Sequence, residues 1–317
     1  MKLVTFIHQG GTRPGVLVEQ DVVDVSAAID AGGSIPSLIQ ILEAGDAGLV
    51  RVEECIASGA PRFPLESVKL TAPVLPRTFF AIGVNYADHI AEMDQPTPEN
   101  LTVFYKAPTS TTGPYDPVER PAVSDWLDYE GELGIVIGKR CRHVSAGSAT
   151  EVIAGYLVAN DVSVRDWQIM TPQWSLGKSF DTHGPIGPYL VTPDEVGDPH
   201  TLGLRTYVNG DLRQNSNTSN LIFDCFDIVE ILSQACTLQP GDVIATGTPS
   251  GVAAGMPGQP WLVPGDRVRV EIDRLGAIEN EVIPEVVPDS FVVDPTWVGG
   301  RSRADSPEPV IDGGRRT

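Results

Sequence analysis

Short apolar runs of four to eight residues, separated by Gly and Pro turns, dominate the chain from about residue 73 to residue 285. Runs such as LGIVIG, GYLVAND and DVIATG have the length of buried β-strands, and the turn residues between them interrupt any longer helical period. The pattern therefore predicts a mostly β domain with long loops over residues 73–285.

Two helical stretches stand out from this pattern, YADHIAEM and SNLIFDCFDIVEILSQACTL. The second has apolar residues three and four positions apart, which is the spacing of one helix face. Near the N-terminus, the alternating segments KLVTFI and PGVLVEQDVVDVS predict short strands, and SIPSLIQILEAGDAGLVRVEECIAS predicts one helix that covers them.

The domain organisation follows from composition along the chain. The proline-dense segment from Pro61 to Pro76 permits neither a helix nor a central strand, so we place a boundary there. Residues 1–72 are then predicted to form a small N-terminal α/β domain. Residues 286–317 hold few apolar residues and many Pro, Gly and charged residues, which predicts a C-terminal tail that is partly disordered.

The charge of the chain narrows the range of partners. Among 317 residues, 22 are basic and 42 acidic, giving a formal net charge of −20. Such a charge repels phosphate backbones and anionic lipids, so we expect no nucleic-acid and no membrane partner. No stretch approaches the roughly 20 apolar residues of a membrane span, and MKLVTFIHQGG is too short for a signal peptide, which predicts a cytoplasmic protein.

Two glutamates, Glu130 and Glu132, occupy alternate positions at the start of the apolar run in DWLDYEGELGIVIG. Side chains at i and i+2 of a strand lie on one face about 7 Å apart, so both carboxylates can converge on one hard cation. Asp161, which ends the run AGYLVAND, could supply a third oxygen. Three carboxylates without His or Cys beside them suit Mg²⁺ or Mn²⁺ better than zinc. From spacing alone, a solvated acidic strand edge is the more common explanation of such a cluster.

His89 and Glu92 lie three residues apart on the predicted helix YADHIAEM and therefore share a face. A carboxylate beside an imidazole orients the ring and raises its basicity, as a general base acting on water requires. The alternative is an incidental ion pair on a surface helix.

A polar segment with two tryptophans, DVSVRDWQIMTPQWSLGKSF, begins at Asp161 and contains Arg165, Gln168 and Lys178. The lysine could hold a substrate carboxylate beside a metal, and Gln168 could donate a hydrogen bond to a developing oxyanion. An ordinary polar loop is the alternative. The nucleotide-binding and serine-hydrolase motifs that the chain comes close to are incomplete, because Pro172 and Thr248 stand where those motifs need Gly.

Six blocks, in order, resemble the fumarylacetoacetate hydrolase (FAH) superfamily, in its branch of acylpyruvases and 2-hydroxyhepta-2,4-diene-1,7-dioate isomerases. The resemblance covers residues 73 to about 285 and implies a mixed, β-rich α+β fold, an FAH-type β-sandwich roll preceded by a small N-terminal domain. The matching blocks are IGVNYADHIAEM, FYKAPTS, DYEGELGIVIG, GYLVANDVSVRDWQ, WSLGKSFDTHGPIGP and LQPGDVIATGTPSGV.

The resemblance also implies a metal site and a lid. One Mg²⁺ or Mn²⁺ per subunit would be held by Glu130, Glu132 and Asp161, while His89 and Glu92 would lie on a segment that orders over bound substrate and activates water.

Other residues of the matching blocks are implied to contact the substrate. Lys178 and Thr248 match positions that hold the substrate or its carboxylate, and Gln168 matches a glutamine near the oxyanion. Lys106 and Arg165 lie in matching blocks and are placed among the substrate-binding residues.

The leading hypothesis is a divalent-metal-dependent hydrolase that cleaves a carbon–carbon bond in a 2,4-dioxo acid such as an acylpyruvate, in the catabolism of an aromatic or sugar-derived compound. The metal would stabilise an enolate while His89 and Glu92 activate water. The alternatives are an oxaloacetate decarboxylase or a dienoic diacid isomerase on the same fold, and, in another class, a catalytically idle ligand-binding protein. The resemblance implies a small anionic 2-oxo acid as substrate and favours a homodimer.

Overall fold

The structure is a computed structural model and describes residues 1–32, 37–93 and 96–286, together with two short strands at 297–298 and 301–302. The predicted tail after residue 285 falls almost wholly outside the described residues and stays a prediction.

Strands dominate the described part of the chain, as the run lengths in the sequence predict. In chain order they are β1 (Lys2–His8), β2 (Gly11–Val18), β3 (Asp21–Asp24), β4 (Arg62–Pro64), β5 (Lys69–Thr71), β6 (Phe79–Gly83), β7 (Thr102–Lys106), β8 (Thr111–Thr112), β9 (Val118–Arg120), β10 (Leu127–Asp128), β11 (Gly131–Ile137), β12 (Ile153–Asn160), β13 (Ser163–Val164), β14 (Gly184–Val191), β15 (Gly203–Val208), β16 (Asp211–Asn217), β17 (Val243–Ala245), β18 (Arg267–Ile272), β19 (Gly276–Pro284), β20 (Trp297–Val298) and β21 (Arg301–Ser302).

The helices of the described residues are short. α3 and α6 fall in the two stretches that the sequence singles out, and α6 begins at Cys225 because the Asp224 side chain caps it by accepting from the N–H groups of Phe226 and Asp227. The α-helices are α1 (Leu38–Glu43), α2 (Asp46–Ala57), α3 (Ala87–Glu92), α4 (Arg165–Ile169), α5 (Pro193–Val196) and α6 (Cys225–Ala235).

The prediction of one continuous helix over SIPSLIQILEAGDAGLVRVEECIAS is wrong. The chain instead forms α1 and α2, separated at Gly45, whose φ of 59° lies in the left-handed region. Glycine adopts that conformation without a steric penalty, so the helix ends there and a new one starts in another direction.

A large mixed sheet and a five-stranded sheet form the body of the described chain. The strand order of the large sheet is β4-β3-β2-β1-β14-β12-β11-β17-β6-β7, with β5 added beside β1 and β8 beside β14. The smaller sheet has the order β16-β15-β18-β19-β9. The N-terminal strands belong to the large sheet, because β1 pairs antiparallel with β14 through Leu3 and Leu190. The predicted domain boundary near residue 72 stays a prediction.

Strand β11 is buried on both faces, which explains its unbroken apolar run. Leu133, Ile135 and Ile137 point into one core, where they join apolar side chains of β18 and β19 from the smaller sheet. Val136 points into a second core, shared with the N-terminal strands and with α1 and α2. A strand covered on both sides reads as a continuous hydrophobic segment rather than an alternating one. Among the described residues, no helix is long and apolar enough to span a bilayer.

Candidate metal centre and active site

The structure brings together the three carboxylates that the sequence singled out. Glu130 immediately precedes β11, Glu132 lies within it, and Asp161 directly follows β12. The two strands are antiparallel, and the Asp161 N–H donates to the Glu130 carbonyl at 2.8 Å, so the start of one strand meets the end of the other. One oxygen from each carboxylate lies within 4.8 Å of the others, and all three residues are buried. These residues form a candidate site for a divalent metal.

The backbone between the two glutamates is held by side chains of the smaller sheet and of the segment that follows β17. The Gly131 N–H donates to Gln214 Oε1 at 2.9 Å, and the Gly131 carbonyl accepts from Thr248 Oγ1 at 3.0 Å. Gln214 Nε2 in turn donates to Thr248 Oγ1 at 2.8 Å. A Cβ at Gly131 would collide with Thr206 Oγ1, so only glycine allows this close approach. Thr248, predicted to bind substrate, has its hydroxyl engaged within the protein, and its substrate role stays a prediction.

Two buried lysines neutralise the cluster. Lys178 Nζ donates to Glu130 Oε2 at 2.7 Å and to Asp161 Oδ2 at 2.9 Å. Lys106 Nζ donates to Asp161 Oδ1 at 2.6 Å and to the carbonyl oxygen of Lys178. Both lysines were predicted to bind substrate. Their contacts place them on the candidate ligands, Lys106 on the side of Asp161 and Lys178 between two carboxylates, and their substrate roles stay predictions.

Arg165 connects the cluster to a glutamine. Its Nη1 lies 2.6 Å from Glu130 Oε1 and donates to Gln168 Oε1 at 2.8 Å, while its Nε donates to Asp128 Oδ2 at 2.9 Å. Because the guanidinium occupies the oxygen of Gln168, the amide nitrogen is the group that this glutamine can offer to an oxyanion. The predicted role of Gln168 is compatible with this orientation. Arg165 contacts protein groups, and its predicted substrate role stays a prediction.

The two glutamates have opposite electrostatic environments. Burial opposes the ionisation of Glu130, but Lys178 and Arg165 outweigh it and lower its pKa to about 2. Burial raises the pKa of Glu132 well above its usual range, and the negative charges of Asp161 and Glu130 raise it further. Glu132 has no ion pair among the described residues. The metal-free protein therefore disfavours the charged form of Glu132, and a bound cation would favour it.

The donor atoms fit a divalent cation. Glu132 Oε2 accepts from the Gly247 N–H at 2.7 Å, but Oε1 is buried and has no hydrogen-bond partner. A buried carboxylate oxygen without a partner is costly unless something supplies positive charge. The cluster consists of oxygen donors only, which hard cations such as Mg²⁺ and Mn²⁺ prefer.

His89 and Glu92 lie together on α3, as their spacing predicts. His89 Nδ1 is 3.2 Å from Glu92 Oε2, and the Gly251 N–H donates to Glu92 Oε1 at 3.1 Å. A carboxylate at Nδ1 favours the tautomer that leaves Nε2 as the basic nitrogen. His89 also contributes to lowering the pKa of Glu130, so its ring is close to the cluster. We call α3 the lid helix.

The chain leading into the lid helix is held in an unusual conformation. Val84 has a φ of 56°, which is uncommon for a β-branched residue, and such strain tends to collect at functional sites. Next to it, the Asn85 side chain donates to the carbonyls of Thr246 and Phe223 and accepts from the Phe223 N–H. Neither Asn85 nor Gln214 was singled out from the sequence, because their roles depend on partners more than 80 residues away.

The mixed, strand-rich fold and this site are those of an enzyme of the fumarylacetoacetate hydrolase superfamily. Residues 78–283, more than half of the chain, match the family described as "Fumarylacetoacetate (FAA) hydrolase C-terminal", and the chain belongs to this family.

Named relatives within the superfamily differ in activity. The chain is 41% identical over 290 residues to the oxaloacetate tautomerase fahd2, mitochondrial, of Xenopus laevis, covering 89% of this chain and 90% of that protein. The structure resembles fumarylacetoacetate hydrolase from Exiguobacterium antarcticum with a TM-score of 0.79 and 39% identity, covering 90% of this chain and all of the other. Maleylpyruvate hydrolase from Sphingobium sp. SYK-6, solved with manganese(II) and pyruvate, gives a TM-score of 0.76 at 35% identity and covers the same shares.

Proposed function

We propose that this protein is a divalent-metal-dependent enzyme that interconverts the keto and enol forms of a small 2-oxo acid of the oxaloacetate type. The observation that carries the metal requirement is Glu132 Oε1, a buried carboxylate oxygen without a partner beside two further carboxylates. The choice of reaction rests on the likeness to the Xenopus tautomerase, which extends over nearly the whole of both chains.

The site supplies the groups that this chemistry needs. A divalent cation held by Glu130, Glu132 and Asp161 would supply a Lewis acid that stabilises negative charge on the oxygens of a 2-oxo acid. Tautomerisation moves one proton between the carbon next to the ketone and the ketone oxygen. His89, oriented by Glu92, is the group that would take or return the proton at carbon. Gln168 would donate a hydrogen bond from its amide N–H to the oxygen, which would take its proton from the protonated His89 or from solvent.

Hydrolysis of a carbon–carbon bond in a 2,4-dioxo acid is the second candidate. The same His89 Nε2 could remove a proton from water, and attack of that water on the distal carbonyl would release a pyruvate-type acid and a second carboxylic acid. The observation that favours this reaction is the likeness to a maleylpyruvate hydrolase that was solved with manganese(II) and pyruvate. The first-ranked hypothesis from the sequence thus becomes the second candidate here.

A substrate panel distinguishes the candidates. Purified protein would be incubated with oxaloacetate, acylpyruvates and a dienoic diacid, each with Mg²⁺, with Mn²⁺ and with EDTA, and the products followed by NMR. We expect enol–keto exchange of oxaloacetate to be accelerated, and EDTA to abolish the acceleration. Release of pyruvate and a second acid would assign hydrolysis, and release of carbon dioxide would assign decarboxylation. Full activity in EDTA would contradict the metal requirement, and no turnover of any compound would favour a binding protein.

Two further expectations concern the whole protein. We propose that it acts as a homodimer, which analytical ultracentrifugation would test. We also retain the cytoplasm as its proposed compartment, although the names of the tautomerase relatives place them in mitochondria. Fractionation of cells that contain the tagged protein would decide between these compartments.

A further inference from the structure

Asp128 occupies a fully buried position between the candidate ligands and the lid helix. It precedes Glu130 by two residues and belongs to β10, which pairs with β13 just after Asp161. We propose that Asp128 is a positioning residue that couples docking of the lid helix to the orientation of Glu130. The inference rests on the proposed metal site and extends it to a residue outside the ligand set.

On one side, Asp128 fixes Arg165. The Arg165 Nε donates to Asp128 Oδ2 at 2.9 Å, and Nη2 lies 2.8 Å from the same oxygen. The remaining nitrogen, Nη1, contacts Glu130 Oε1 and Gln168 Oε1. The planar guanidinium is a rigid fork, so fixing one edge on Asp128 also fixes where its other nitrogen meets Glu130 and Gln168.

On the other side, Asp128 holds the loop that receives Glu92. Asp128 Oδ1 accepts from the Ala253 N–H at 2.8 Å, and Oδ2 accepts from the Ala254 N–H at 3.0 Å. Two residues earlier in the same loop, the Gly251 N–H donates to Glu92. Gly255 also lies against the lid, since a Cβ there would be 2.9 Å from Glu92 Cδ.

The neighbouring Tyr129 strengthens the same connection. Its hydroxyl donates to the Gly251 carbonyl at 2.9 Å, on the residue whose N–H binds Glu92. Residues 128 and 129 therefore fix both ends of the loop segment that contacts the lid helix. The Asp128 carboxylate thus lies between a candidate metal ligand and the loop that holds the lid helix, and its own contacts on either side are 3.0 Å or less.

Neutralising Asp128 should affect both sides at once. In Asp128→Asn, the Arg165 charge would be balanced by Glu130 alone and would compete more strongly with a cation for that ligand. The asparagine side chain would also carry an NH₂ group in place of one carboxylate oxygen. This NH₂ would face an N–H or guanidinium donor and could not accept from it, so the loop at 251–255 would lose part of its support.

The test measures metal binding and lid protection in the same proteins. In titration calorimetry with Mn²⁺, we expect Asp128→Asn to raise the dissociation constant about tenfold, the lower end of the range for partners behind metal ligands. In hydrogen exchange without metal, we expect faster exchange over residues 86–93. Tyr129→Phe, which keeps every charge and the ring, should speed exchange of the lid and weaken Mn²⁺ binding by a smaller factor.

Two controls separate coupling from general destabilisation. Asp242→Asn replaces another buried aspartate that accepts two backbone N–H groups, at the far end of β11, and should leave Mn²⁺ affinity and lid exchange unchanged. In the double variant Asp128→Asn/Glu92→Gln, the effects on lid exchange should not add, because both substitutions break one connection.

Each outcome has a definite meaning. Wild-type affinity and wild-type lid exchange in a folded Asp128→Asn protein would overturn the coupling while leaving the metal site intact. If Asp128→Asn does not fold, an unchanged lid and unchanged Mn²⁺ affinity in Tyr129→Phe would overturn it in the same way. Absence of Mn²⁺ binding by the wild-type protein would instead overturn the proposed function on which the coupling rests.

Discussion

The carboxylate cluster and the lid helix lie side by side, yet different interactions hold them. In the cluster, Glu130 and Asp161 meet the charged ends of buried lysine and arginine side chains at 2.6 to 2.9 Å. On the lid, His89 and Glu92 keep 16% and 22% of their side-chain surface exposed, and Glu92 is held by a backbone N–H.

This difference indicates that the lid helix can move more easily than the carboxylate cluster. Breaking a buried ion pair leaves an uncompensated charge, so the cluster should keep its geometry until the protein unfolds. Single hydrogen bonds at a partly exposed site contribute only about 0.5–1.5 kcal/mol each, so the lid should open locally at low cost. On the proposed function, a rigid set of candidate ligands beside a weakly held His89 would allow substrate to enter without loss of the metal.

The largest expected effect concerns the glutamate without a cation. Glu132→Gln keeps the shape of the side chain and its acceptor for the Gly247 N–H, but removes the charge that a metal requires. We expect Mn²⁺ binding to be lost and turnover to fall on the order of 10³-fold, since a Lewis acid supplies several kcal/mol. Without metal, the variant should melt no lower than the wild type, because burial already raises the pKa of Glu132. A clearly lower melting temperature would show that the charge stabilises the metal-free fold.

On the lid, His89→Ala should lower kcat by about 10²- to 10⁴-fold, the usual contribution of a general base. Mn²⁺ affinity measured by calorimetry should stay close to that of the wild type, because His89 is not one of the three candidate metal ligands. His143→Gln, at an exposed histidine, is the matched control for kcat. Loss of metal binding in His89→Ala would show that metal binding by the carboxylate cluster depends on the lid helix.

Within the cluster, Lys178→Met should destabilise the metal-free protein by about 3–5 kcal/mol, because it leaves Glu130 and Asp161 without their shared cation. Urea unfolding measures this, and added Mn²⁺ should restore part of the loss. Lys139→Met, which removes a surface pair with Asp46, should cost less than about 1 kcal/mol. Equal costs for the two variants would contradict a cluster held by charge.

The smallest expected effect, counted per pH unit, is a dependence of stability on pH through a buried histidine near the cluster. Burial lowers the pKa of His183 to about 3, although its ring hydrogen bond to the Glu119 carbonyl favours the charged form. The unfolded chain takes up a proton below about pH 6.5, whereas the folded chain does not until about pH 3. This contribution is therefore complete above pH 6.5 and falls by about 1.4 kcal/mol per pH unit as the pH drops towards 3. Urea unfolding at several pH values should show a shallower slope for His183→Gln than for the wild type.

The sequence could predict the carboxylate cluster because its signals are local. Glu130 and Glu132 alternate at the start of a strand, Asp161 ends another, and the antiparallel pairing of adjacent strands brings them together. His89 and Glu92 are likewise one helical turn apart. The ordered blocks then raised these residues above the alternatives that spacing alone left open.

The supporting residues could not be predicted in the same way. In the sequence, Asp128 is one of several acidic residues in DWLDYEGELGIVIG, and its proposed role depends on N–H groups 125 and 126 residues away. Gln214 lies on a strand of the other sheet with no neighbouring chemistry in sequence. The break at Gly45 was missed because the apolar periodicity continues across it, and only the backbone conformation shows the change of direction.

The pairing of β1 with β14 also determines how much of the chain must stay together during folding. A protein shortened to residues 78–283 would leave the β14 edge at Leu190 without its strand partner and uncover the side of the second core that α1 and α2 now close. An open strand edge next to exposed apolar side chains is a template for aggregation. We therefore expect such a fragment to precipitate, and we expect the cooperative folding unit to be larger than the segment by which the family is recognised.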